Sequence, residues 1–332
     1  MTRAGLDEVK PNRLGVGKIP IRILNSTVLK MVGAESDRIV TPAKAGVDFA
    51  AVRVGGGFML VSADPVTGVS KEIGRYAVKV SANDVATSGC RPQFAESIIL
   101  LPEGSTERDV GKVARQVHEA ARESGISILG GHTEVTPGLR NPIVAVTTFA
   151  FADKFVTSAD AKVGDTIVMT KTAGLEGTAV LGATKKFLDE LSIIEEAVAA
   201  YRTGHVHAMH DCTEGGVLGA AFEMSLASDL GFEMDETLVP VATDTRSLCR
   251  RYSIDPLRLI GSGSLLLSVE PGREEALLEA LHKVCRATVV GKFVRRGRTL
   301  IRADGTREPL KAAPEDELWR VLSRRMRGGD RL

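Results

Sequence analysis

The chain has 332 residues, of which 43% are hydrophobic and 26% charged, the balance of a soluble globular protein with about two domains. Its 43 Lys and Arg nearly match its 42 Asp and Glu, which argues against nucleic acid as a partner, because nucleic-acid binders carry a basic excess. No apolar run reaches the roughly 18 residues that span a bilayer, and residues 1–10 lack the apolar core of a secretory signal. The four cysteines form no CxxC pair, so we expect a cytoplasmic protein without membrane contact.

The first half of the chain alternates predicted strands and helices. Three glycines, Gly55–Gly57, separate two β-rich runs and predict a hairpin. Thr106 and Asp109 have the spacing of a capping box before a helix, and a strand on each side of that helix predicts a βαβ unit. In chain order, the predicted elements are strands 49–54 and 58–63, a helix over 70–88, a strand over 95–101, the capped helix, and strands over 126–129 and 143–152.

We place a domain boundary near residue 157, after the polar pair Asp153-Lys154, so that the two predicted domains are residues 1–157 and 158–332. The second half again begins with a strand. Its predicted elements are a strand over 166–170, a helix over 178–191, a strand over 205–209, a helix after Gly215-Gly216, a strand over 264–269, a hairpin turn at Asp304-Gly305 and a last helix opened by Pro314–Glu317.

Two acids flank the predicted hairpin. If its turn centres on Gly56, Asp48 and Asp64 are equally far from the turn and face each other on one side of the sheet. Like charges in that position are destabilising unless a cation or a donor compensates them. The alternative is that both acids lie beyond the strand ends and point into water.

A third acid lies on the apolar side of the following helix. Ile73, Ala77 and Val80 have the spacing of one helix face, and Asp84 continues it. A carboxylate there is costly unless it is paired or binds a metal; the alternative is a helix-end Asp that rotates into solvent. Three converging acids suggest Mg²⁺, which takes carboxylates together with phosphate oxygens, and therefore a nucleotide. Asn83 beside Asp84 adds an amide.

Two glycine-containing segments are candidate phosphate loops. Gly130–Thr133 follows a predicted strand, where backbone N–H groups can face an anion. Gly174–Thr178, which includes Gly177, lies between a strand and a helix, so its amides and the helix dipole favour phosphate. Neither segment matches a P-loop or a dinucleotide fingerprint, and the alternative is that these glycines have a structural role only.

The second half contains a cluster of histidines beside an acid. His205 and His207 share a face if they lie on a strand, which makes a transition-metal site conceivable. Asp211 ends the same strand before the glycine pair that begins a helix. An acid at that junction either orients a substrate group or a cation, or is an ordinary N-cap.

Taken in order, these segments resemble the superfamily of aminoimidazole ribonucleotide (AIR) synthetase, selenophosphate synthetase, thiamine-monophosphate kinase and the hydrogenase maturation factor HypE. The resemblance covers about residues 40–295 and rests on a strand-end Asp, a helical Asn-Asp-x-Ala, a Gly-x-x-Pro, a Gly-Gly-Asp-Thr-like loop and a segment similar to Arg-Asp-x-Thr-Arg-Gly-Gly of HypE. The segments that carry it are Ser62–Asp64, Ser81–Ala86, Gly89–Pro92, Gly130–Thr133 and Val206–Gly216.

The resemblance implies an N-terminal α/β domain that binds ATP and dimerises into a β-barrel, followed by an α+β domain. It also implies an ATP- and Mg²⁺-dependent homodimeric enzyme that phosphorylates an oxygen and so activates an amide or carbonyl group, with the metal neutralising the transferring phosphoryl group. The implied metal ligands are Asp48, Asp64 and Asp84. The implied nucleotide-binding residues are Asn83, Gly130, Gly131 and Thr133, and Gly177 of the second candidate phosphate loop is a further one. The implied catalytic residues are Asp211 and His132.

The chain also departs from HypE. Phe49 follows Asp48 where relatives often have a second acid, and His210 and Glu214 stand where HypE-like chains often have Arg. HypE ends in a Cys that carries the carbamoyl group, whereas this chain ends at Gly329–Leu332 without one. We therefore expect a different small-molecule or protein-bound substrate. The alternatives are a phosphotransferase like thiamine-monophosphate kinase, and a nucleotide-binding maturation partner without turnover.

Overall fold

The computed structural model describes residues 14–67, 71–182 and 185–328. The expectations drawn from residues 1–10 and from the chain end at Gly329–Leu332 concern residues outside these ranges. In the part of the chain that is described, no helix has the length and apolar composition that crossing a bilayer requires.

Six strands of the first half form one mixed sheet in the order β1-β2-β3-β6-β4-β5. The strands are β1 Ile39–Thr41, β2 Ala50–Val54, β3 Gly57–Val66, β4 Phe94–Leu101, β5 Ser127–Val135 and β6 Ile143–Ala152. β4 and β5 are parallel, and the other neighbouring strands are antiparallel. The predicted βαβ unit is therefore confirmed, and β5 lies at an edge of the sheet.

Three helices belong to this half: α1 Ile21–Ser26, α2 Ile73–Ala86 and α3 Glu107–Ser124. The predicted capping box is present, since the Thr106 side chain accepts from the Asp109 N–H and the Asp109 side chain accepts from the Thr106 N–H. α3 buries the stripe that contains Val113 and Val117, and α2 is buried over nearly its whole length between α3 and strands β3 and β6. Polar residues of α2 are thereby held inside the protein.

The predicted hairpin forms with a different register. Val54 pairs with Gly57 and Ala50 with Val61, so the turn contains two residues rather than being centred on Gly56. A shift of one position in the register changes the partner of every residue across the hairpin. The prediction that Asp48 faces Asp64 across the hairpin is therefore wrong. Asp48 lies before the first residue of β2.

The second half forms a seven-stranded sheet in the order β13-β12-β9-β11-β7-β10-β8. Its strands are β7 Thr166–Thr170, β8 Val206–Asp211, β9 Gly231–Asp235, β10 Leu265–Val269, β11 Ala287–Val294, β12 Arg298–Ile301 and β13 Arg307–Pro309. Its helices are α4 Leu175–Gly182, α5 Lys185–Asp189, α6 Ile194–Arg202, α7 Gly216–Ala227, α8 Thr243–Tyr252, α9 Glu274–His282 and α10 Glu317–Gly328. The predicted helix over 178–191 corresponds to α4 and α5, and the hairpin at Asp304-Gly305 has a longer loop than the predicted two residues.

The two halves share one apolar core. Side chains of α2 and of strands β4 and β6 belong to the same buried cluster as side chains of α6 and β10. The N-terminal segment also crosses to the second half, where the Lys44 ammonium donates to the carbonyl of Ala227 at 2.7 Å. Between these contacts the two sheets leave a cleft.

Candidate active site

A cleft of about 670 Å³ runs between the two halves, within the range of about 300 to 1,000 Å³ that is typical of small-molecule sites. Its walls come from the N-terminal segment, β3, α2, the end of β8, α4, α7 and α10. Seven carboxylates and two lysines line it, so positive charge from a ligand would relieve repulsion there. The acids are Asp48, Asp64, Asp84, Glu176, Asp211, Glu214 and Glu223.

Asp84 and Asp64 meet on one side of the cleft. α2 holds Asp84 on its core-facing stripe, where the residue is 7% exposed, and β3 brings Asp64 within hydrogen-bonding reach of it. The Ser62 hydroxyl lies 2.7 Å from Oδ2 of Asp84 and 2.9 Å from the carbonyl oxygen of Asp48. Burial and the charges of Asp64 and Asp211 raise the pKa of Asp84 well above its usual range. A cation between the two carboxyl groups would offset this repulsion.

Asp48 lies at the centre of a second group of charges. Its Oδ1 is 3.1 Å from Nε2 of His210, which is also 3.2 Å from Oε2 of Glu223. The other oxygen of Glu223 pairs with the Lys18 ammonium at 3.0 Å. Lys18 and His210 outweigh the effect of burial and lower the pKa of Glu223 to about 2. Burial disfavours a charged His210, yet the carboxylates of Asp48, Glu223 and Asp211 raise its pKa to about 9.

Asp211 joins the two groups from the end of β8. Its side chain is 1% exposed, and its Oδ2 has no hydrogen-bond partner in the described part of the chain. Burial and the charge of Asp48 raise the pKa of Asp211 well above its usual range. Four predicted residues, Asp48, Asp64, Asp84 and Asp211, therefore converge in the cleft, although the predicted hairpin register was wrong.

Asn83 does not reach the cleft. It is fully buried in α2, donates to the carbonyl of Leu191 at 2.7 Å and accepts from the N–H of Ile193 at 3.0 Å. Residues 83 and 84 point to different sides of the helix because successive residues are about 100° apart. In place of the predicted nucleotide contact, the Asn83 side chain joins α2 to the second half of the molecule.

The predicted phosphate loop at Gly130–Thr133 is part of the edge strand β5. Gly131 lies so close to β4 that a Cβ atom would be 1.8 Å from the carbonyl oxygen of Ser97, at a register shift between the strands. His132 is 62% exposed and bonds to Glu134, and none of these residues lines the cleft. Gly131 thus serves close strand pairing, and the structure does not bring His132 to the four acids.

Gly177 also has a packing role in place of the predicted contact with phosphate. Its N–H donates to the carbonyl of Ile260 at 2.9 Å, and a Cβ atom would be 2.4 Å from the Leu259 side chain. The amide predicted to face a phosphate is therefore occupied. Its neighbour Glu176 lines the cleft instead, and burial raises the pKa of Glu176 to about 7.

His205, just before β8, and His207, on β8, have different partners. His205 lies 3.6 Å from Glu270, and His207 bonds to Asp165 at 3.0 Å, so the two do not form a shared site. Of the residues described, one set of three or more His, Cys, Asp or Glu has its ligand atoms within 4.8 Å of one another, and it consists of Asp48, His210 and Asp211.

The sequence reasoning missed Glu223 and Glu176 as cleft residues. Glu223 is the sole charged residue of helix α7, and Glu176 is the sole charged residue of helix α4. An acid on an apolar helix is the pattern that identified Asp84, and the same pattern marks Glu223 and Glu176. Lys18 precedes the first helix and carries no such signal.

The fold and the site define a two-domain α/β protein with a buried acidic cleft between its halves. Residues 46–152 match the N-terminal domain of the AIR synthase related proteins, and residues 162–303 match their C-terminal domain. The chain belongs to this family, which confirms the predicted fold class and resemblance.

Two curated relatives are similar to the chain over most of its length. A hydrogenase expression/formation protein of Methanocaldococcus jannaschii is 24% identical over 80% of this chain and 84% of the relative. The carbamoyl dehydratase HypE of Escherichia coli is 27% identical over 78% of this chain and 81% of the relative. The prediction of an enzyme related to HypE agrees with these relatives.

Solved structures share the fold. One HypE chain, from a HypE–HypF complex, covers 87% of this chain and 99% of its own with a TM-score of 0.74 and 23% identity. HypE in complex with ATP gives a TM-score of 0.70 at 22% identity, with 90% and 93% of the chains covered. Thiamine monophosphate kinase from Aquifex aeolicus gives 0.66 at 18% identity, with 86% and 97% covered.

Proposed function

We propose that this chain is an ATP- and Mg²⁺-dependent enzyme that phosphorylates, and so activates, an oxygen of an amide or carbonyl substrate. The observation that carries the proposal is the convergence of Asp48, Asp64, Asp84 and Asp211 in one cleft, where the Asp48 and Asp211 side chains and the Asp84 residue are buried. Such a cluster is unfavourable in isolation and suits a ligand that brings divalent cations and phosphate oxygens together. Relatives named carbamoyl dehydratase and a HypE fold that binds ATP support it.

The donors fit Mg²⁺ because they are carboxylate oxygens, which this ion prefers. Asp48, Asp64 and Asp84 would hold the ion, whose chemical contribution is to neutralise charge on the transferring phosphoryl group. Asp211 would orient the acceptor from the end of β8, where its side chain is 1% exposed and lines the cleft. Glu176, with a pKa raised to about 7 by burial, would take the proton that an acceptor group releases.

The direct test is ADP formation by the purified chain with Mg²⁺ and candidate amide or carbonyl acceptors. We expect substrate-dependent ADP release that Asp64→Asn reduces at least about 100-fold, as for loss of a charge-stabilising group. Asp304→Asn, which changes an exposed acid in the β12–β13 turn, is the matched control. A chain that binds no ATP at any Mg²⁺ concentration contradicts the proposal.

The alternative function is a nucleotide-binding maturation partner without turnover. Its supporting observation is that Trp319, which lines the cleft, donates to Glu214 at 2.8 Å and packs on Gly17, so that it takes up space that a substrate would need. A HypE chain is also known in complex with HypF. Calorimetry that shows ATP binding, with no turnover when partner and substrates are present, would favour this alternative.

A kinase resembling thiamine-monophosphate kinase is the third candidate, supported by the shared fold alone. It predicts transfer of the γ-phosphoryl group to a stable phosphorylated product. The activating enzyme instead consumes its phosphorylated intermediate and releases inorganic phosphate. Measuring phosphate against phosphorylated product therefore separates the two.

We also propose that the enzyme is a cytoplasmic homodimer that pairs along β5. All nine residues of β5 are exposed, and Leu129 and Val135 are 60% and 52% exposed. Exposed apolar residues on an unpaired edge strand favour pairing with another strand. The free state of all four cysteines fits a reducing compartment.

A further inference from the structure

We propose that Asp48, His210, Asp211 and Glu223 form a binding site for a first-row transition metal, of the class of Mn²⁺, Fe²⁺, Co²⁺ and Zn²⁺. This mixed nitrogen and oxygen site shares Asp48 with the proposed magnesium ligands Asp64 and Asp84. Metal binding there requires neither ATP nor turnover, so the inference stands or falls independently of the proposed function.

The spacing of the donor atoms is that of a coordination sphere. Nε2 of His210 is 3.1 Å from Oδ1 of Asp48 and 3.2 Å from Oε2 of Glu223. Ligand atoms about 2.0 to 2.2 Å from one ion, at angles between square and tetrahedral, are about 3 to 3.5 Å apart. Asp211 also offers an oxygen within 4.8 Å of the donor atoms of Asp48 and His210.

Two atoms of this group are buried without a hydrogen-bond partner in the described part of the chain. They are Nε2 of His210 and Oδ2 of Asp211, on side chains that are only 2% and 1% exposed. Although Nε2 lies near two carboxylates, neither has the geometry of a hydrogen bond. Unsatisfied buried polar atoms are costly and rare, and two of them in one cluster of possible ligands indicate a missing partner.

The other ring nitrogen of His210 fixes the tautomer. Nδ1 lies 2.7 Å from the backbone carbonyl of Asp211, and because a carbonyl oxygen only accepts, Nδ1 carries the hydrogen. In the neutral imidazole, Nε2 then carries the lone pair that a metal ion binds. A histidine that donates through one nitrogen to a carbonyl and ligates through the other is the usual arrangement at protein metal sites.

Charge and donor chemistry select the ion. With a metal ion bound, ionised Asp48, Asp211 and Glu223 would carry three negative charges, and Lys18 at 3.0 Å from Glu223 offsets one, which leaves the two that a divalent cation balances. An imidazole donor favours the later divalent metals over Mg²⁺, which prefers oxygen ligands. The competing interpretation is that His210 is a protonated imidazolium paired with Asp48 and Glu223.

The test uses the full-length chain, stripped with a chelator and titrated with Co²⁺ in the presence of about a hundredfold excess of Mg²⁺, because Mg²⁺ fills all-oxygen sites. We expect one Co²⁺ per chain, with visible absorption bands that report an imidazole ligand. His210→Gln should weaken Co²⁺ binding at least about 100-fold. His207→Gln, on the same strand but bonded to Asp165, is the matched control and should leave Co²⁺ binding unchanged.

Absence of Co²⁺ binding to the wild type, displacement by Mg²⁺, or equal loss in both histidine variants overturns the proposal. If His210→Gln does not fold, ¹⁵N-histidine NMR of the wild-type and His207→Gln chains gives the same answer. Zn²⁺ should then shift the ring nitrogens of one histidine that is present in both spectra. A spectrum that Zn²⁺ leaves unchanged identifies the protonated, ion-paired His210 and overturns the metal site.

Discussion

The sequence predicts functional residues both in the acidic cleft and on the edge strand β5. The two regions differ in burial, since the acids of the cleft are largely buried and the residues of β5 are exposed. In the cleft, the Asp84 residue is 7% exposed and the Asp211 side chain is 1% exposed, both against like charges. On β5, every residue is exposed and His132 is satisfied by Glu134. Buried, mutually repelling acids are a cost to folding that ligand binding explains. Exposed polar residues of an edge strand carry no such cost, so their exposure alone indicates no ligand.

The variant Asp84→Asn separates a ligand-binding role of this acid from a structural one. We expect ATP turnover to fall at least about 100-fold, while the free energy of unfolding of the metal-free chain stays constant or rises by up to about 1 kcal/mol, because a buried charge repelled by its neighbours is removed. The new amide oxygen still accepts from Ser62, 2.7 Å away. Turnover assays and urea unfolding measure both effects. Full turnover, or a clear loss of stability, would show that Asp84 has a structural role.

Asn83→Ala tests the adjacent residue, which was predicted to bind nucleotide. Because two buried backbone groups, of Leu191 and Ile193, lose their partner, we expect a loss of about 2 to 3 kcal/mol in unfolding free energy. Affinity for a nonhydrolysable ATP analogue should change less than about threefold. Asn25→Ala, at an exposed position of α1, is the control. A stable variant with weakened ATP binding would restore the original prediction.

Leu129→Lys tests the other side of the comparison. A charge on the exposed edge opposes strand pairing between copies, so we expect the dimer dissociation constant to rise at least about tenfold, roughly 1.4 kcal/mol. Light scattering over a concentration series measures it. Val163→Lys changes an apolar residue that is 51% exposed in the second half, and it should leave the oligomeric state unchanged. Dissociation in both variants, or in neither, contradicts pairing along β5.

Asp316 shows what burial does to a carboxyl group whose oxygens are satisfied. It accepts from the N–H groups of Gly215 and Leu318, each at 2.7 Å, yet burial raises its pKa from 3.8 to about 7. The folded chain thus holds this proton more tightly than the unfolded chain. Its stabilising contribution is complete below about pH 4 and is lost as the pH rises to about 7.

Relative to Asp316→Asn, which does not titrate, the wild type should therefore lose at least about 1 kcal/mol of unfolding free energy across that pH range. Urea unfolding of both proteins at several pH values measures the difference. A stability difference that is independent of pH would show that Asp316 is ionised throughout, and that two N–H donors suffice to compensate a buried carboxylate.

Local patterns in the sequence predicted much of the fold. The capping box at Thr106 and the strands β6 and β7 appear at the predicted residues, because periodicity and capping act over a few neighbouring residues. The hairpin register failed because a run of three glycines permits turns of different length, and one residue changes every cross-strand pair.

The candidate site was predictable where a charge breaks an apolar pattern, as for Asp84. The same pattern marks Glu223 in α7, although the sequence does not show which cleft that helix faces. Glycine pairs were ambiguous, since close strand packing at Gly131 and a phosphate loop require the same absence of a side chain. The pairing of His210 with Asp48 joins residues far apart in sequence, and no local rule identifies it.

The position of Asn83 beside Asp84 also constrains how ligands reach the cleft. Its side-chain amide makes hydrogen bonds to the backbone of Leu191 and Ile193. These bonds connect the first and second halves of the chain one residue away from Asp84. A hinge motion that widened the cleft along α2 would have to break both bonds. We expect slow hydrogen exchange at the Ile193 amide whether or not ligand is bound, and entry of ligands from the ends of the cleft.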